Sequence, residues 1–211
     1  MTAAQVLWEY DAVGQADLVR KGEISPSELI EAAIARLEKV NPQINCVAEK
    51  TYEQARTAAK SVDRGAALAG VPFAIKDLGI AQKGITTHSG SRAPVFVPEF
   101  DSVLVERHRA AGLIPICTTT SPEYGLRLMT ESAAFGSIRN PWNSGHTTGG
   151  SSGGASAIVA AGAVAVAHAS DGGGSIRVPS ACTGLLGMKT SRGRVPLSPL
   201  VTESWYGFGV D

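Results

Sequence analysis

Three side chains in this sequence have types and settings suited to nucleophilic chemistry: Lys76, Ser151 and Ser175. Lys76 closes the apolar run Val71-Pro72-Phe73-Ala74-Ile75. Desolvation disfavours an ammonium and can bring a lysine down from about 10.4 by several units, which makes its amine a base near neutral pH. Asp77 comes next, but successive residues of a strand face opposite ways, so its carboxylate need not pair with Lys76. Ser175 follows Gly172, Gly173 and Gly174. Three glycines permit an unusual backbone path and leave N–H groups free to converge on one spot, which is what an oxyanion hole requires. Ser151 sits in a second glycine-rich turn, Gly149-Gly150-Ser151-Ser152-Gly153-Gly154, and could lie between the other two. Singly, such serines are usually turn residues and such lysines are usually solvated. It is the conjunction that suggests a base, a relay and a nucleophile.

Other chemistries find less support. The helix that follows Gly149–Gly154 could bind an anion at its N-terminus. However, no G-x-x-x-x-G-K-[ST] occurs, and Gly187-Met188-Lys189-Thr190 misses that register. Gly149 to Gly153 matches G-x-S-x-G, but that elbow needs a strand immediately before it. Here the preceding residues are Asn140-Pro141-Trp142-Asn143-Ser144-Gly145-His146-Thr147-Thr148, a polar stretch rich in turn formers. The four histidines, His88, His108, His146 and His168, show no metal-ligand spacing and read as surface or satisfied structural residues. Cys182, in an apolar run, reads as a packed thiol. No metal site is indicated.

The chain has 211 residues with 44% hydrophobic and 18% charged, which describes a globular domain with ample core. Lys plus Arg and Asp plus Glu are 19 each, so net charge gives no reason to expect nucleic acid or an anionic membrane as partner. Three cysteines without a CxxC argue against a disulfide scaffold and suit a reducing, cytoplasmic location. No signal peptide is visible, and the apolar stretch at 155–169 is too short to span a bilayer. Glycine is abundant, 24 residues, and eleven of them fall between Gly145 and Gly187. Between Asn140 and Met188 the only charges are Asp171 and Arg177, so this region reads as packed core with special backbone geometry and not as a linker.

The elements that must position these residues follow from capping and period. Ser25-Pro26-Ser27-Glu28 is a capping box with proline at the first helical position. Leu29, Ile30, Ala33, Ile34, Leu37 and Val40 continue at helical spacing until Asn41-Pro42 stops them. Helices are expected at 52–63 and 102–111, and strands at 71–75 and 113–117. An Ala-rich helix follows 149–154 to about 161, then come a buried strand at 163–169, a tight loop at 172–174, a short helix from Ser175 and a second buried strand at 185–188. This rhythm predicts an α/β fold, a mixed sheet covered by helices. The aromatic ending at 205–211 lacks a polar tail.

The ordered motifs resemble the amidase signature family. Gly149 to Gly154 is followed by Ser170-Asp171-Gly172-Gly173-Gly174-Ser175-Ile176-Arg177-Val178-Pro179 and by Ala181-Cys182-Thr183-Gly184-Leu185-Leu186-Gly187-Met188-Lys189-Thr190. Upstream, Pro72-Phe73-Ala74-Ile75-Lys76-Asp77, Ser121-Pro122-Glu123-Tyr124-Gly125 and Arg139-Asn140-Pro141-Trp142 are similar to family landmarks. The separations, 75 residues from Lys76 to Ser151 and 24 on to Ser175, agree with the family. Thr119-Thr120-Ser121 departs from its usual Lys-Thr-Asn. The Ser-Asp-Gly-Gly-Gly-Ser form, with Pro199-Leu200-Val201-Thr202 downstream, is most similar to bacterial amidases of the 6-aminohexanoate cyclic dimer hydrolase group.

The resemblance implies a Ser–cisSer–Lys triad with Ser175 as nucleophile, Ser151 as bridging serine on a cis peptide bond and Lys76 as base. It implies an oxyanion hole of the Gly172, Gly173, Gly174 and Ser175 N–H groups, and no metal or organic cofactor. The substrate implied is a small carboxylic amide. The alternatives are a non-catalytic half-domain and a glutamine-amidotransferase-type subunit. Family members are considerably longer, so residues 1–211 are expected to be the N-terminal catalytic half of the fold. The remaining C-terminal part or a second chain would then be the partner, and the full-length protein a homo-oligomer.

Overall fold

The computed structural model describes residues 1–93 and 96–199. In chain order it has α1 (Ala3–Glu9), α2 (Ala12–Lys21), α3 (Pro26–Ile44), β1 (Val47–Lys50), α4 (Tyr52–Ser61), β2 (Pro72–Lys76), α5 (Val103–Ala110) and β3 (Ile114–Thr119). Two small hairpins follow, β4 (Glu131–Ser132) with β5 (Gly136–Ser137) and β6 (Arg139–Asn140) with β7 (Asn143–Thr147). Helices α6 (Gly153–Ala160) and α7 (Arg177–Thr183) come last. The main sheet has the order β1-β3-β2, with β1 antiparallel and β2 parallel to β3. It is the expected mixed α/β sheet.

The longest helix forms as its cap predicts. Ser25 Oγ accepts from Glu28 N at 3.2 Å, and Ser25 N donates to Glu28 Oε2 at 2.9 Å. Leu29, Ile30, Ala33, Ile34 and Leu37 of α3 are buried in the larger core, together with Ala74, Ile116, Ala157 and Ile158. The expected stop at Pro42 is overrun by a turn. Proline forfeits one donor, yet Asn45 N still closes on Asn41 O at 2.7 Å, and Asn45 ends the helix in the left-handed region at φ 56°.

Alternation along β2 sets up the site. Phe73 and Ile75 face a second core with Ala16, Val71, Val105 and Leu113, whereas Ala74 faces the first core. Period two therefore sends the Lys76 side chain to the Ala74 side, where α6 packs.

Two expected strands do not form. Over 163–169 the chain runs beside β2 but contributes one backbone bond to it, His168 N to Ala74 O at 2.9 Å. The next donor on β2, Lys76 N, is taken by a side chain, His168 Nδ1, so the ladder ends there. At 185–188 no described residue supplies a pairing edge, and Leu186 and Met188 are 98% and 79% exposed. The aromatic ending at 205–211 lies outside the described residues. Among the described residues no helix is long and apolar enough to cross a membrane.

Candidate active site

Two of the three expected residues meet directly. Lys76 is fully buried, and its Nζ lies 2.7 Å from Ser151 Oγ and 2.9 Å from Ser170 Oγ. Asp77 faces elsewhere: its Oδ1 accepts from His88 N at 2.9 Å, and burial pushes its carboxyl up to about 6. The Gly150–Ser151 peptide is cis. The turn around it is bolted down by Thr130, whose Oγ1 donates to Gly149 O at 2.9 Å and accepts from Gly153 N at 3.0 Å. Side chains would not fit where the turn enters α6. A Cβ on Gly154 would stand 2.6 Å from Thr120 N and O, backbone atoms that cannot swing aside.

Ser175 arrives from the loop that precedes α7. It is 9% exposed, and its carbonyl accepts from Ser152 N at 3.3 Å, which ties the two serine turns together. Among the described residues no hydrogen bond joins Ser151 Oγ to Ser175 Oγ. The Gly172, Gly173 and Ser175 N–H groups donate to no described acceptor. Gly174 differs from its expected part, since its N–H is turned to Asp171 Oδ1 at 2.8 Å.

Asp171 shapes that loop, and the motif reading gave it no role. Its carboxylate is wholly buried and accepts from Gly174 N, Ile176 N, Arg177 N and the Arg177 guanidinium. Burial alone would push the carboxyl up. The Arg177 guanidinium and the three backbone donors outweigh it and hold the group well below the usual carboxylate range. The sequence held one signal, two lone opposite charges six residues apart in an uncharged stretch.

Because the folded value is depressed, Asp171 stabilises the fold above its unfolded value of about 4 and loses that contribution as pH falls below it. The Arg177 side chain is 56% exposed, so the backbone bonds outweigh the ion pair. Asp171→Ala is expected to cost about 2–4 kcal/mol at neutral pH and to flatten the acid limb of stability. Urea midpoints from pH 3 to 7 measure both, and an unchanged acid limb would show that the carboxylate is not the linked group.

Two minor expectations are corrected. Cys182 is exposed and not enclosed in a core, although its Sγ lies against the turn at Gly149. His168 is neither a surface residue nor a satisfied one: it is 6% exposed, and its Nε2, like Nδ1 of His108, is buried without a partner among the described residues. The unusual Thr119-Thr120-Ser121 is accommodated in the interior, with Thr120 Oγ1 donating to Cys46 O at 3.2 Å and Ser121 Oγ to Asp77 O at 3.4 Å.

Comparison with known proteins places the chain in a family. The chain is 45% identical over 201 residues to the 6-aminohexanoate-cyclic-dimer hydrolase of Paenarthrobacter ureafaciens, covering 94% of this chain and 40% of that protein. It is 41% identical over 185 residues to a glutamyl-tRNA(Gln) amidotransferase subunit of a Synechococcus species, covering 84% of this chain and 38% of that one. A solved structure of 6-aminohexanoate cyclic dimer hydrolase superposes with a TM-score of 0.90 at 40% identity, over 96% of this chain and 42% of that chain. The chain thus spans about 40% of the length of the curated relatives it matches. An amidase family profile matches residues 28–210, and with 45% identity along nearly the whole sequence the conclusion is direct: the chain belongs to the amidase family.

Proposed function

We propose that this chain carries the catalytic centre of an amidase that hydrolyses a carboxylic amide C–N bond through a serine acyl-enzyme. The carrying observation is the 2.7 Å contact between Lys76 Nζ and Ser151 Oγ, with the Ser175 backbone held on the next residue, Ser152. With Lys76 as the neutral amine, that contact moves the Ser151 proton towards Nζ while Ser151 takes the proton of Ser175. Ser175 Oγ then bonds to the amide carbon. The oxyanion meets the N–H groups of Gly172, Gly173 and Ser175, while Gly174 stays on Asp171 and keeps the loop in shape. The C–N bond breaks as Ser151 returns a proton to the leaving nitrogen. Water repeats the sequence on the ester and releases the acid. A linear or cyclic amide suits this chemistry and the 45% identity to a cyclic-dimer hydrolase.

We further propose that residues 1–211 are the N-terminal part of the catalytic fold, completed by additional polypeptide. A cavity of about 590 Å³ lined by Phe73, Leu104, Ile176, Leu185, Leu186 and Met188 is partly open, and its rim leaves Leu186 98% exposed. Apolar surface of this kind favours cover. The free thiols Cys46, Cys117 and Cys182 support a cytoplasmic location, which cell fractionation checks.

Partition of the intermediate tests the reaction. The complete protein that carries this sequence, given an amide and hydroxylamine, is expected to yield an acyl hydroxamate at the expense of the acid. Hydrolysis with no hydroxamate at any hydroxylamine concentration would rule out the acyl-enzyme. Residues 1–211 expressed alone are expected to bind a hydrophobic dye; cooperative folding without dye binding would refute the need for cover.

A further inference from the structure

The segment 168–171 touches both halves of the proposed machinery. Asp171 holds the loop of Ser175, and Ser170 Oγ sits 2.9 Å from Lys76 Nζ. His168 acts on the same lysine from the other side. Its backbone N–H donates to Ala74 O at 2.9 Å, and its Nδ1 accepts from Lys76 N at 3.3 Å. In a regular ladder a carbonyl would receive that N–H. Here the chain turns away to form the Ser170–Ser175 loop, and an imidazole nitrogen stands in for the missing carbonyl. An accepting Nδ1 requires a neutral ring with its proton on Nε2.

The surroundings favour the neutral ring, and the Lys76 N–H at Nδ1 selects the tautomer. His168 is 6% exposed, and burial, the neighbouring His108 and Lys76 push it down to about 3. The His108 ring lies 5.8 Å away, centroid to centroid. A charged imidazolium would carry a proton on Nδ1 and lose its capacity to accept from Lys76 N.

We propose that His168 is a positioning residue for Lys76: its neutral imidazole completes the end of β2 and fixes the backbone from which the base projects. The proposal rests on Lys76 being the base, and it assigns His168 no contact with substrate. Without the acceptor, the last residue of β2 is free to shift, and small misplacements of a catalytic group are costly.

The test is a pair of substitutions in the complete protein. His168→Leu keeps bulk and removes the acceptor. His168→Asn supplies an oxygen close to the place of Nδ1. His168→Leu is expected to lower kcat by about tenfold or more with KM within about twofold, and His168→Asn to recover kcat to within about threefold of the parent. Circular dichroism establishes that each is folded. Parental kcat in folded His168→Leu overturns the proposal. So does folded His168→Asn with kcat reduced tenfold, a result that decides the matter even where the leucine variant does not fold. Lys76→Ala separates the two levels: if it is inactive while His168→Leu is normal, only the role of His168 fails, whereas activity in Lys76→Ala removes the base itself.

Discussion

Ser175→Ala is expected to reduce amide turnover by at least about 10⁴-fold and to abolish labelling by a fluorophosphonate probe, with little change in stability. The size follows from what is removed: without a nucleophile, only substrate binding and oxyanion stabilisation remain. Ser175 and Ser151 both lie in glycine-rich turns, so the choice between them rests on geometry. Ser151 is 2% exposed, its Oγ is engaged by Lys76, and a Cβ on Gly125 would come within 3.3 Å of it. That site has room for a relay and little for an incoming carbonyl. Ser175 lies beside the N–H groups of Gly172 and Gly173, which donate to no acceptor among the described residues and where an oxyanion would find donors. Peptide mapping of the labelled protein decides the matter. Label on Ser151, with activity surviving in Ser175→Ala, would reverse the two roles and favour the G-x-S-x-G elbow.

Much of this site was legible in the sequence because its parts are local. The capping box at Ser25 and the apolar approach to Lys76 act over a few residues, and each produced the local structure expected of it; the glycines before Ser175 gave the expected loop but not the expected part for Gly174. Features that depend on distant partners were harder to read. Asp171 and Arg177 stood out as isolated charges, but nothing in the sequence showed that Gly174 N–H would be spent on Asp171 instead of an oxyanion. His168 appeared as one histidine among four, since its partner lies 92 positions away on β2. The apolar runs at 163–169 and 185–188 have the composition of strands, yet a strand forms only where an edge pairs with it. One run loses its ladder to a side chain and the other meets no edge among the described residues.

For Lys76, alanine and methionine are expected to lower amide turnover by about 10²–10⁴-fold, the span typical of losing a positioned general base. Methionine retains the length and bulk of the buried stem, so a loss shared with alanine reports the missing nitrogen and not a cavity. Lys76→Arg is expected to be as inactive as either. A guanidinium stays protonated and has no lone pair to accept the Ser151 proton, and its planar fork is a poor match for a pocket shaped around one nitrogen 2.7 Å and 2.9 Å from two hydroxyls. The sign of the pH effect follows from the same requirement. A lysine that works as a base is active above its folded-state value and idle below it, so kcat/KM of the parent falls as pH is lowered through that value. In Lys76→Ala that limb is expected to vanish, and a small primary amine added to the solution is expected to restore part of the rate in proportion to its unprotonated fraction. Methionine fills the same space and is expected to resist such rescue. Full activity in Lys76→Arg, or an unchanged acid limb in Lys76→Ala, would mean that Ser151 delivers its proton elsewhere and that the buried lysine serves only to hold the turn.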